Sequence, residues 1–244
     1  MIRRLCLKWL LISVSLATSC GAPQPTSAPK SWLGPADAQA AFDAAERAVP
    51  YLPFGYIEDG CYARAFYMAM EAAVAALPVS VQYIYMPTGS ISPDGVIHWG
   101  YHAASMIWVD GDSEPSIADP ALYSEPVPRD VWLARLQPTD TPELKFAAGS
   151  NLTFFSDTPE AGPSAQTQLL TSIDAMPAFV AADITFACSV MAGYIGSEPG
   201  LSDQDKSMKV ARLMARTKDL VSRLDQRGLV TDASTISTSP ESCY

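Results

Sequence analysis

The apolar positions change period several times along the chain, and each change marks an element. From Cys61 to Leu77, Tyr62, Phe66, Met70, Ala73 and Leu77 recur at spacings of three and four, the stripe of an amphipathic helix. Asp59 stands where an N-cap is expected, and Pro78 where the helix must stop. An earlier alanine-rich run opens at Gly34-Pro35, with Pro35 suited to a first helical position, and predicts a helix to about Val49. Between them "VPYLPFGYIEDG" is broken by prolines and Gly55 and reads as a loop or short strand. Three β-rich runs follow: "VSVQYIYM" (79–86), "VIHWGYHAASMIWV" (96–109) and "PSIADPALY" (115–123). Turns at "SPDG" and "DGDSEP" separate them. A short helix is expected over 129–136. Residues 137–166, rich in Pro, Thr, Ser and Gly, read as a connection. Residues 169–196 form an apolar helical run, and Asp183 and Pro177 inside it favour burial within protein over a membrane span. Ser202 opens an amphipathic helix ending near Gly228, with Met208, Leu213, Leu220 and Leu224 on the core side. The class is α+β.

The first twenty residues lie apart from this pattern. "MIRRLCLKWLLISVSLATSC" runs from a basic start through an apolar stretch to small residues before Cys20, the layout of an export signal over residues 1–19. "LATSC" resembles the lipobox of bacterial lipoproteins, which would make Cys20 the lipidated residue, although Ala17 holds the place usual for leucine. An ordinary secretory cleavage near Ser19 is the other reading. Either way the protein is expected to be exported, as an envelope lipoprotein or in secreted form. Residues 20–33 then form a flexible Pro/Ser/Ala tether. The domains expected after it are a core over 34–136, the connection over 137–166 and a helical C-terminal extension over 167–244. The formal net charge of −10 argues against nucleic acid as a partner.

Export alters the reading of the five cysteines. Cys6 leaves with the signal and Cys20 is the anchor candidate. In an oxidising compartment two of the remaining three are expected to pair. Cys188 and Cys243 flank the C-terminal region and are the favoured pair, which leaves Cys61 free. Cys61 falls in the first turn of its helix, where unpaired N–H groups and the macrodipole favour a thiolate. Packing, a disulfide, metal ligation and nucleophilic catalysis all remain open for it on this ground alone.

A nucleophile needs a base, and the chain has two histidines, His98 and His102. On a strand they share a face but stand roughly 13 Å apart, too far for one metal. If 98–110 and 115–123 form a hairpin turning at Gly111-Asp112, residue 102 lies opposite residue 121. Asp119 then projects on the same face as His102, one diagonal step away. A carboxylate there orients a histidine and stabilises its charged form. Asp110 and Asp112 are more simply turn residues.

"DGCYARA", "WGYHAA" and "IADPALYSEPV", in this order and spacing, resemble the bacterial protein-glutaminase family of secreted protein deamidases. The resemblance covers about residues 54–135. It implies a papain/transglutaminase-like core, with the nucleophile helix packed on an antiparallel sheet and a mostly helical C-terminal region added to it. The residues matched to the family's catalytic positions are Cys61 as nucleophile, His102 as base and Asp119 as orienting acid. The implied activity is hydrolysis of glutamine side chains in proteins or peptides to glutamate and ammonia, through a thioester, with no metal or cofactor. The partners expected are a protein or peptide with an accessible glutamine and, through a lipid anchor, a membrane. A transglutaminase, a cysteine peptidase, a secreted toxin and a non-catalytic envelope-binding lipoprotein are the alternatives. Phe66 stands where family members often carry histidine, and residues 137–244 have no assigned counterpart.

Overall fold

The computed structural model of the chain describes residues 33–152, 170 and 173–236. The expected export signal, Cys6, Cys20 and Cys243 lie outside the described residues. Helix α1 (Pro35–Glu46) begins with Pro35 in its first turn, and Asp37 accepts the Gly34 N–H at 2.7 Å. Helix α2 (Cys61–Val74) follows the loop. Strands β1 (Ser80–Tyr85), β2 (Tyr101–Ile107), β3 (Ser116–Ala118) and β4 (Val127–Pro128) lead into α3 (Arg129–Leu136), and β5 (Glu143–Ala148) completes the sheet. The order is β4-β3-β2-β1-β5, antiparallel throughout. Beyond it come β6 (Phe179–Val180), α4 (Ala181–Ser197), α5 (Asp203–Asp225) and β7 (Val230–Thr231), with β6 and β7 pairing in parallel.

The alternation along β1 and β2 gives the sheet two apolar faces. Val81, Tyr83, Ala103 and Ile107 join the core under α1 and α2, while Ile84, Ala104, Met106 and Ile117 join a smaller core with Trp132 and Leu136 of α3. Helix α2 is not the one-faced helix its stripe predicts. Every residue from Ala63 to Ala73 is buried, because α4 and α5 cover the side turned away from the sheet. Its many alanines permit this close packing. Beside Ala69, Gly149 sits so near that an added Cβ would lie 2.5 Å from the alanine methyl.

Several expected boundaries shift, each for a local reason. The N-cap of α2 is Gly60, whose φ of 88° is left-handed, and Asp59 stands one residue outside. The helix ends at Val74 because Ala76 takes a left-handed conformation and the Leu77 N–H returns to the Ala72 carbonyl. The 96–109 strand shrinks to 101–107: Asp94 accepts the Val96 and Ile97 N–H groups at 2.9 Å each and holds that stretch in a turn. The 115–123 strand ends at Ala118, where the Asp119 carbonyl accepts from Leu122 and Tyr123. The supposed connection over 137–166 contains β5, a full edge strand against β1, so the sheet extends past residue 136. In the apolar run after 169 the described residues form a 3-10 turn at Ile173–Ala175 and become α-helical at Ala181. Met208 is 44% exposed rather than core, whereas Leu213, Leu220 and Leu224 are fully buried. Among the described residues no helix is long and apolar enough to cross a membrane.

Candidate active site

The chain runs from the loop 53–60 through the tight Gly60 turn into α2, which places Cys61 at the helix start beside the end of β2. Cys61 is buried and is the free cysteine among the described residues. Cys188 is disulfide-bonded, and Cys243, its expected partner, lies outside the described residues. The first N–H groups of α2 have no acceptor within the helix.

His102 is the second residue of β2. The strand pairing sets Ser105 opposite Ala118 and Met106 opposite Ile117, the register read from the sequence. One residue beyond the strand, Asp119 turns toward His102. The His102 Nε2 lies 2.8 Å from Asp119 Oδ2. That oxygen also accepts the Trp132 indole N–H at 2.9 Å, and Oδ1 takes the Ala121 N–H at 3.2 Å. Cys61 and His102 line one cleft, and Cys61 is among the groups that raise the His102 pKa. The structure thus sets His102 against Asp119 and places Cys61 and His102 on one cleft. The imidazole is held between two indoles, Trp99 at 5.1 Å and Trp132 at 5.8 Å between ring centroids.

Burial alone would pull the His102 pKa down. The charge and hydrogen bond of Asp119, together with Cys61, outweigh it and raise His102 to about 9. Burial works in the opposite direction on Asp119, yet His102, Trp132 and the Ala121 N–H hold its carboxyl below the ordinary value. Because the folded pKa of His102 exceeds the unfolded value of about 6.5, its pairing stabilises the fold fully below about pH 6.5 and is lost as pH rises through about 9. The melting temperature is therefore expected to fall between those pH values, and to fall less in His102→Gln. Thermal denaturation followed across pH checks this, and a flat wild-type profile would contradict the pairing.

Ile57, Glu58, Asp59, Arg64, Trp99 and Tyr101 surround Cys61 and His102 in a cleft of ≈ 120 Å³. His98 also lines it, but lies outside the strand, exposed, with Nδ1 3.2 Å from Ser90 Oγ. Asp110 and Asp112 stay in the exposed β2–β3 turn. Trp132, Tyr101 and Tyr194 were invisible as site residues in the sequence. They arrive from α3, β2 and α4, and no local spacing marks an indole or phenol as a carboxylate donor.

Residues 38–136 match the glutaminase family model. The matched segment contains Cys61, His102, Asp119 and Trp132. The NMR structure of protein-glutaminase from Chryseobacterium proteolyticum is similar at 22% identity and TM-score 0.43, covering 57% of this chain and 83% of that one. The crystal structure of pro-protein-glutaminase is similar at 24% identity and TM-score 0.42, covering 54% of this chain and 53% of that one. No curated protein matches the chain. The matched segment ends before β5, so the last strand of the sheet and the helices α4 and α5 lie beyond it.

Proposed function

We propose that this protein deamidates glutamine side chains in proteins or peptides. The observation that carries the reading is the His102 imidazole hydrogen-bonded to Asp119 in a cleft it shares with the free Cys61 at a helix start, inside the segment matched to a glutaminase family. The Cys61 sulfur attacks the carboxamide carbon of glutamine while His102 carries the proton. The N–H groups at the start of α2 face the developing oxyanion. Protonated His102 then gives its proton to the departing nitrogen, ammonia leaves, and a thioester remains. Water, giving a proton to His102, attacks the thioester carbon; the C–S bond breaks, glutamate is released and the Cys61 sulfur recovers its proton from His102. Asp119 keeps the imidazole in the required tautomer, and the two indoles keep it in place.

Incubation with a glutamine-containing peptide tests this. Ammonia should appear in one-to-one ratio with new glutamate, without added amine and with the backbone uncut. Incorporation of an added amine in place of ammonia release by water would indicate a transglutaminase, and backbone cleavage a peptidase. Absence of all three on a range of glutamine substrates would overturn the reading.

A further inference from the structure

We infer that Tyr194, on α4 and outside the glutaminase segment, is a positioning residue for the Cys61 site. The inference rests on the reading of Cys61 as the nucleophile. Asp59 is the keystone through which Tyr194 acts. Its Oδ2 accepts the Tyr194 hydroxyl at 2.6 Å, and its Oδ1 accepts the Tyr101 hydroxyl from β2 and the Gly60 N–H. One carboxylate therefore ties together the sheet, the turn before the nucleophile and α4. The Tyr194 ring adds a steric grip: a Cβ on Gly60 would lie 2.7 Å from it. The same ring stacks on Tyr56 at 4.4 Å and 14°. One turn of helix farther on, buried Glu198 accepts the Gly55 N–H at 2.8 Å and is itself held by Lys209 at 2.7 Å. The opposite side of the loop is fixed from within the glutaminase segment, by Arg64 on the Pro53 and Tyr56 carbonyls and by the Trp99 indole on the Ile57 carbonyl.

The left-handed turn at Gly60 sets the direction in which Cys61 and the first N–H groups of α2 point. A turn of this kind, with no side chain of its own, keeps its geometry through what presses on it, and here that is Tyr194 and Asp59. Small displacements of a nucleophile and its oxyanion donors are costly in rate while leaving binding nearly intact.

Tyr194→Phe keeps the ring and its stacking and removes only the hydroxyl. The expected result is a fall in kcat of about 10-fold or more with KM within about threefold, at a nearly unchanged melting temperature. Alkylation of Cys61 by iodoacetamide, followed on its own peptide by mass spectrometry, should slow by a similar factor. Asp59→Asn should produce the same two losses, and the double variant should be no worse than the worse single one, since both act on one contact. Wild-type kcat and alkylation in folded Tyr194→Phe would overturn the inference, as would additive losses in the double variant. If the wild-type protein releases no ammonia from any glutamine substrate, the proposed function fails but the alkylation rates still decide the role of Tyr194.

Discussion

His102→Ala is expected to lower ammonia release by about 10⁴-fold or more, and Cys61→Ala to abolish the covalent route altogether. Two different losses combine in His102→Ala. In the proposed mechanism the sulfur loses the partner that takes and returns its proton, and Asp119 becomes a buried carboxylate facing an empty space. The two indoles would still flank that space, but neither accepts a proton. Asp119→Asn separates these effects. It keeps the shape and one acceptor oxygen, yet removes the charge that holds His102 protonated and selects its tautomer. A drop of about 10²–10⁴ in kcat with KM little changed is expected for it. Steady-state ammonia assays on purified variants, each checked for folding, measure all three. Comparable rates in wild type and Cys61→Ala would place the chemistry elsewhere.

The pairing of His102 with Asp119 was legible in the sequence because it depends on short-range rules. A helix start follows from Asp-Gly before an apolar stripe, and a strand register follows from a turn position and period-two alternation. His102 and Asp119 are close in sequence, and one correct register joins them. What escaped depends on long-range packing. The loop 53–60 shows no sign of Tyr194, which comes from 135 positions away. Strand β5 was hidden in a Pro/Thr/Ser-rich stretch because "ELKFAA" has exposed Glu143, Leu144 and Lys145 on an edge, where burial imposes little pattern. Phe66 shows the same limit from the other side. As a departure from the family motif it had no meaning in the sequence. In the fold it is buried edge-on against Phe179 of β6, at 5.3 Å between centroids, so the apolar residue suits a helix covered by the C-terminal region. A histidine there would meet the Phe179 ring.

Glu71→Ala is expected to destabilise the protein by about 3–5 kcal/mol, a fall in melting temperature of roughly 6–20 °C for a chain of this size. Glu71 is fully buried in the middle of α2. It accepts a two-point fork from Arg216 of α5, Nε at 2.7 Å and Nη2 at 2.5 Å, and the Tyr51 hydroxyl at 2.9 Å. Arg47, after α1, approaches to 3.6 Å. A carboxylate taken wholly out of water is tolerable only with such partners, and the partners in turn depend on it. Arg216→Ala leaves the charge buried with less compensation and should cost a similar amount. The pair Glu71→Met with Arg216→Met removes both charges and is expected to recover much of the loss, because two apolar chains of similar volume need no pairing. Denaturant melts of the three variants provide the check. A double variant as unstable as the sum of the singles would show that Glu71 and Arg216 contribute independently. Recovery would show that the C-terminal helices are locked to α2 chiefly by mutual compensation of one buried charge. That lock has a consequence for the site, since α5 braces α4, and α4 carries the Tyr194 hydroxyl to Asp59.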